Sequence, residues 1–209
     1  LTTICRCKRG GGPVFPAGVA ALLAPLFALL LAACGPQAPK FRSTDITGAD
    51  FGRELSLTAQ DGKPRSLADF RGKAVVLFFG YTHCPDVCPT TLADMAAVMK
   101  TLGADAERVQ VLFVTLDPER DTPEVLAKYV PAFDARFLGL YGDAAATQRA
   151  AKEFKIFYEK RPGGSPGAYT LDHSGQSYVL DPQGRLRLFV RTERISQDLA
   201  EDLRTLLRN

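Results

Sequence analysis

Cys84 and Cys88 stand four residues apart in the run Phe79-Gly80-Tyr81-Thr82-His83-Cys84-Pro85-Asp86-Val87-Cys88-Pro89. Two thiols at that spacing can pair as a disulfide, exchange with a partner's disulfide, or hold a soft metal ion. A third residue able to join them is His173, in Tyr169-Thr170-Leu171-Asp172-His173-Ser174. Two sulfurs and one imidazole nitrogen suit copper or zinc. Structural zinc normally takes four closed ligands, and the sequence offers no evident fourth, so the set argues for copper. The other histidine, His83, directly precedes Cys84. Adjacent side chains on an extended segment diverge, and His83 reads as a surface residue.

An apolar run, Ala74–Phe79, empties into the dithiol segment and reads as a strand buried on both faces. The sulfurs then lie at the strand's carboxyl end, where open α/β sheets place their chemistry. Pro85 and Pro89 bias the cysteines before them away from helical geometry, and Pro89 suits a first helical turn. Cys84 therefore falls on the loop and Cys88 at the mouth of a helix, whose positive end lowers thiol pKa. Leu92, Met95, Ala96, Met99 and Leu102 recur at helical spacing. Both methionines read as core rather than as copper ligands.

Before this unit, Leu55, Leu57 and Ala59 alternate, and Gln60-Asp61-Gly62-Lys63 turns the chain into a small hairpin. After it, Val109–Thr115 reads as a second buried strand ending in Leu116-Asp117-Pro118. Asp121 and Glu124 frame a capping box with Pro123 just inside the next helix. Asp117 reads as the cap of the strand-to-helix turn, with a place near the dithiol as the other reading. Phe137–Tyr141 predicts a third strand, and Asp143 caps a helix to about Phe154. The segment Arg161–Gly167 is rich in Gly and Pro and reads as a loop. Gln176–Leu180 and Leu186–Val190 flank Asp181-Pro182-Gln183-Gly184 as a β-hairpin, and Ser196 caps a final helix. The order of elements predicts an α/β, thioredoxin-like fold. Its additions are a hairpin in front and a loop and hairpin before the last helix.

The net charge of +3 resides entirely in Arg6, Lys8 and Arg9. With the remainder balanced, and no basic stripe interleaved with aromatics, nucleic-acid binding is excluded as an expectation. Residues 1–33 read as a signal sequence: a basic start, then an apolar stretch rich in Ala and Leu. It ends in Leu31-Ala32-Ala33-Cys34-Gly35, which resembles the lipobox of bacterial lipoproteins, with lipid carried by Cys34. The alternative is an uncleaved transmembrane anchor, although Pro16 and Pro25 interrupt the apolar stretch. Residues 34–50 read as a polar tether and 51–209 as the domain. Of five cysteines, Cys5 and Cys7 would leave with the signal and Cys34 would be lipidated. Only Cys84 and Cys88 then remain in the domain, which excludes a framework of structural disulfides.

The dithiol run, together with Thr115-Leu116-Asp117-Pro118-Glu119-Arg120-Asp121-Thr122-Pro123 and Asp172-His173-Ser174, resembles the Sco/SenC family over about residues 50–207. These are copper chaperones of cytochrome c oxidase assembly. The resemblance implies a thioredoxin-like fold, membrane attachment, and copper bound by Cys84, Cys88 and His173. It also implies delivery to the binuclear copper centre of oxidase subunit II, with reduction of that centre's cysteines as a second role. An upstream periplasmic copper donor would supply the ion. The family's usual attachment is a transmembrane segment, so a lipid on Cys34 departs in anchoring and not in chemistry. The location implied is the periplasmic face of a bacterial membrane.

Two enzymatic readings compete. An extracytoplasmic thiol–disulfide oxidoreductase would attack with Cys84 and resolve with Cys88, and it needs no His173. A peroxiredoxin-like peroxidase is suggested by Val87-Cys88-Pro89-Thr90. Such enzymes place Thr three residues before the reactive Cys, where this chain has Pro85 for Cys88 and Tyr81 for Cys84.

Overall fold

In the computed structural model, which describes residues 39–208, Ala74–Gly80 (β4) is buried at every position. Seven residues with apolar side chains on both faces can satisfy their backbone only between two other strands. Val109–Thr115 (β5) pairs with it in parallel, from Ala74↔Val109 to Gly80↔Thr115. On the other side, Ser177–Leu180 (β9) runs antiparallel to it. Leu138–Tyr141 (β6) continues the sheet in parallel beyond β5. The outer positions are held by Thr44–Asp45 (β1), Ser56–Ala59 (β2), Pro64–Ser66 (β3) and Leu186–Val190 (β10). They complete one eight-stranded sheet in the order β1-β10-β9-β4-β5-β6-β2-β3.

Four α-helices lie among the described residues: Val87–Leu102 (α1), Pro123–Tyr129 (α2), Ala144–Glu153 (α3) and Ile195–Arg208 (α4). Helix α1 buries Cys88, Leu92, Met95, Met99 and Leu102 along one stripe, so the methionines are core as their spacing indicates. Helix α4 buries Leu199, Leu203 and Leu206 in the same way. Asp143 caps α3 by accepting from the Ala146 N–H at 2.7 Å. A mixed sheet with these helices and the dithiol at the first βα turn is the thioredoxin-like plan expected.

Several boundaries differ from the sequence reading. The segment 161–167 is not a free loop, because Tyr158–Pro162 (β7) and Tyr169–His173 (β8) form an antiparallel pair outside the main sheet. The Gly/Pro residues make only its tip, where Gly163 donates to the Ala168 carbonyl at 2.8 Å. Asp121 does not cap α2; Thr122 does, its hydroxyl accepting from Val125 N–H at 3.4 Å. Ser196 lies inside α4, which is entered through a tight turn at Thr192–Arg194.

The fold also begins earlier than residue 51. The Arg42 and Ser43 amides donate to the buried Asp202 carboxylate at 2.7 and 2.9 Å, and Phe41 and Ile46 pack against the core. The second half of the segment read as a tether is therefore docked. The signal sequence and Cys34 lie outside the described residues. Among the described residues no helix is long and apolar enough to cross a membrane.

Candidate metal centre

Parallel pairing of β4 with β5 decides the layout of the site. Because Gly80 stands opposite Thr115, the residues after each strand emerge side by side at the same edge. After Gly80 the chain carries Tyr81 to Cys88, and after Thr115 it carries Leu116 to Asp121. Gly80 itself is required by crowding. A Cβ there would lie 2.7 Å from the Cys88 sulfur and 3.0 Å from Phe113.

Cys88 is fully buried and Cys84 is half-buried, and neither is in a disulfide. The ligand atoms of Cys84, Cys88 and His173 lie within 4.8 Å of one another. The His173 Nε2 is 3.5 Å from the Cys88 sulfur, while its Nδ1 is 2.9 Å from the Ser174 carbonyl. A carbonyl can only accept, so Nδ1 carries a proton and Nε2 is the ring nitrogen turned to the sulfurs. Tyr81 and Phe78 meet the imidazole edge-on, with ring centroids at 5.8 and 6.4 Å, and fix its plane.

The two thiols divide one proton unequally. The Cys88 S–H donating to its sulfur, helped by the Asp86 and Cys88 N–H groups at the start of α1, lowers the Cys84 thiol to about 4 against the cost of burial. The same bond to Cys84, followed by burial, pushes the Cys88 thiol up. The metal-free protein thus holds a half-buried thiolate beside a fully buried thiol.

His83 is half-exposed, with Nδ1 at 3.1 Å from the Thr82 hydroxyl oxygen. That hydroxyl donates to Asp121 at 2.6 Å, so it can only accept from His83. His83 stays outside the three-ligand group, as its position before Cys84 suggests.

Sequence reasoning missed how the 116–121 loop holds both halves of the site. Asp121 is buried and accepts from Thr82 N–H at 3.0 Å, the Thr82 hydroxyl, and the Thr115 hydroxyl at 2.6 Å. It thereby pins the segment leading to Cys84. Asp117 does shape the turn, its carbonyl accepting from the Arg120 and Asp121 N–H groups. Its side chain, however, accepts from Arg120 Nε at 2.5 Å and from the Tyr169 hydroxyl at 2.7 Å. Tyr169 begins the strand that ends in His173. Burial, then the bond to Asp117, push the Tyr169 phenol up to about 12, so it remains a donor. The available signal was positional: two acids follow a strand that neighbours the dithiol strand.

Three soft or borderline donors converge on one point, and no fourth His, Cys, Asp or Glu joins the group among the described residues. That donor set fits copper better than a closed structural zinc site. The fold and this cluster define a thioredoxin-like protein whose dithiol is completed by a distant histidine. The SCO1/SenC family profile matches residues 43–208, and the chain belongs to that family.

A mouse protein named Protein SCO2 homolog, mitochondrial, is 37% identical over 153 residues, which cover 72% of this chain and 60% of that protein. The chain thus spans about three-fifths of the length of this protein and of its cattle counterpart. The structure of Bradyrhizobium japonicum ScoI with copper bound is 37% identical, with a TM-score of 0.69, covering 75% of this chain and 99% of that one. The solution structures of apo Sco1 from Thermus thermophilus are 38% identical, with a TM-score of 0.72, covering 82% and 99%.

Proposed function

We propose that this protein carries copper on Cys84, Cys88 and His173 and delivers it to the binuclear copper centre of cytochrome c oxidase subunit II. The convergence of the three ligand atoms within 4.8 Å carries the reading. Membership of the SCO1/SenC family and the likeness to a copper-bound ScoI support it. Thiolates suit Cu(I) at low coordination number, and the imidazole adds a donor favourable to Cu(II). Cys88 is fixed in the core, whereas Cys84 is reachable from solvent, so an acceptor's ligand can approach on the Cys84 side. The protein works at the periplasmic face of a bacterial membrane, held by lipid on Cys34, and receives copper from a periplasmic donor. The Leu31–Cys34 pattern supports that placement.

Optical spectroscopy of the copper-loaded protein tests this. Thiolate-to-Cu(II) charge-transfer bands are expected in the wild type and should vanish in Cys84→Ser and Cys88→Ser. Bands that survive both substitutions would overturn the assignment.

The unequal thiols favour a second role, reduction of a partner disulfide by the metal-free form. The Cys84 thiolate attacks one sulfur of the partner, forming a mixed disulfide and expelling a partner thiolate. Cys88, giving up its proton, then attacks the Cys84 sulfur and releases the second partner thiolate. Two electrons pass to the partner and a Cys84–Cys88 disulfide remains. Turnover of a disulfide substrate unaffected by His173→Ala is expected for this role, and dependence on His173 would argue against it.

A further inference from the structure

His173 reaches the dithiol from a hairpin that pairs with no strand of the main sheet. Most of that hairpin is exposed; among β7 and β8 only Leu171 is buried. Its internal bonds, such as Arg161 to Asp172 at 2.9 Å, do nothing to fix it to the rest of the molecule. Apart from a bond between the Tyr81 hydroxyl and the Leu171 backbone and the contact of His173 with Cys88, its polar links to the body converge on one short stretch after β5. The Tyr169 hydroxyl donates to Asp117 at 2.7 Å, and Arg120 Nη1 donates to the Tyr169 carbonyl at 3.0 Å. The Arg120 guanidinium carbon lies 3.7 Å from the Tyr169 ring centroid, and Asp117 holds the same guanidinium through Nε. Lys160 adds an exposed pair with Glu119 at 2.7 Å.

We propose that Asp117, Arg120 and Tyr169 form a latch that positions His173 over the dithiol, so that the histidine's reach is set separately from the two cysteines. The inference rests on His173 acting as a copper ligand. Its physical basis is the contrast in anchoring. Cys88 is held by the core, and the approach to Cys84 by Asp121, whereas the hairpin has little apolar burial to resist opening. Hydrogen bonds to a charged partner, one of them buried at Asp117, then decide whether the hairpin stays down. Arg120 is suited to this task because its planar fork bonds Asp117 and the Tyr169 carbonyl while stacking on the ring. Lys has one donor centre and cannot do all three.

The test uses Arg120→Ala, Arg120→Lys and Tyr169→Phe in the full chain. In the metal-free protein, amide hydrogen exchange in 158–162 and 169–173 should speed up about tenfold in Arg120→Ala, the effect of one lost charge-assisted bond. Exchange in 74–80 should stay at the wild-type rate. Tyr169→Phe and Arg120→Lys should fall between. With copper, Arg120→Ala should weaken Cu(II) binding about tenfold by the same measure and leave Cu(I) within about threefold. Adding Arg120→Ala to His173→Ala should cost nothing further, because the two act through one ligand.

Equal acceleration of the hairpin and of 74–80 would overturn the latch, since it would report general destabilisation. So would an additive loss in the double variant. If His173→Ala alone binds Cu(II) like the wild type, the copper reading fails at that ligand. The exchange rates of the metal-free protein would still decide whether the latch exists.

Discussion

The dithiol and the histidine occupy opposite extremes of order within the same site. Cys88 lies in the first turn of helix α1, fully buried against Gly80 at the end of the wholly buried strand β4. His173 ends a two-stranded hairpin that lies mostly in solvent. The sulfurs share in the cohesion of the core, so their spacing changes only if the fold is disturbed. The nitrogen depends on local polar contacts and can move while the rest stands still. In the copper-carrier role proposed above, that division would let the soft pair retain the ion while the third ligand adjusts to its oxidation state or to an incoming acceptor.

The comparison breaks most sharply at the cysteines. Cys88→Ser removes a soft ligand and should lower Cu(I) affinity by several orders of magnitude in a competition titration with a chelator. His173→Ala should cost far less for Cu(I) than for Cu(II); equal losses would show the histidine to be as fixed a ligand as the sulfurs. Gly80→Ala drives a methyl into the Cys88 sulfur and Phe113. It should destabilise the fold by about 1–3 kcal/mol in urea denaturation, whereas Gly164→Ala in the hairpin tip, where an added Cβ meets nothing within 4 Å, should cost much less.

A finer test contrasts the thiols themselves. A group lowered to about 4 remains a thiolate from neutral pH down through the mildly acidic range, and its reactivity falls only as pH drops through that value. Iodoacetamide should therefore modify Cys84 of the metal-free protein at pH 6 nearly as fast as at pH 7.5, while Cys88 stays unmodified. A rate that climbs steadily up to pH 8.5 would contradict the shared proton. Smallest of all, Glu119→Ala removes exposed contacts, chiefly the ion pair with Lys160, and should leave the melting temperature nearly unchanged.

Much of the fold and the centre of the site were legible because their signals are local or strongly patterned. The apolar runs at Ala74 and Val109, the second interrupted only by Gln110, read as interior strands, and the thiols follow the first of them at fixed spacing. Asp143 sits at a helix start and behaves as its sequence context predicts. Strand β7 escaped notice because Tyr158-Glu159-Lys160-Arg161-Pro162 has no buried face, and so no alternation to read. Strand β1, only two residues long, carries no period at all. Asp121 was misassigned because a carboxylate next to Thr-Pro fits a cap equally well. Its true partners, Thr82 and Thr115, are brought near only by the pairing of β4 with β5. Tyr169 and Arg120 meet across 49 positions of chain, a distance that no local pattern spans.

The clasp between the start of the fold and its last helix has a mechanical consequence. Any pull through the residues before Lys40 is taken up first by the Arg42 and Ser43 amides on Asp202, then by the short pairing of β1 with β10. Strands β10 and β9 stand between that edge and β4. Tension arriving from that end is thus spent peeling the outer margin, and the bonds that shape the cysteine loop are the last to feel it.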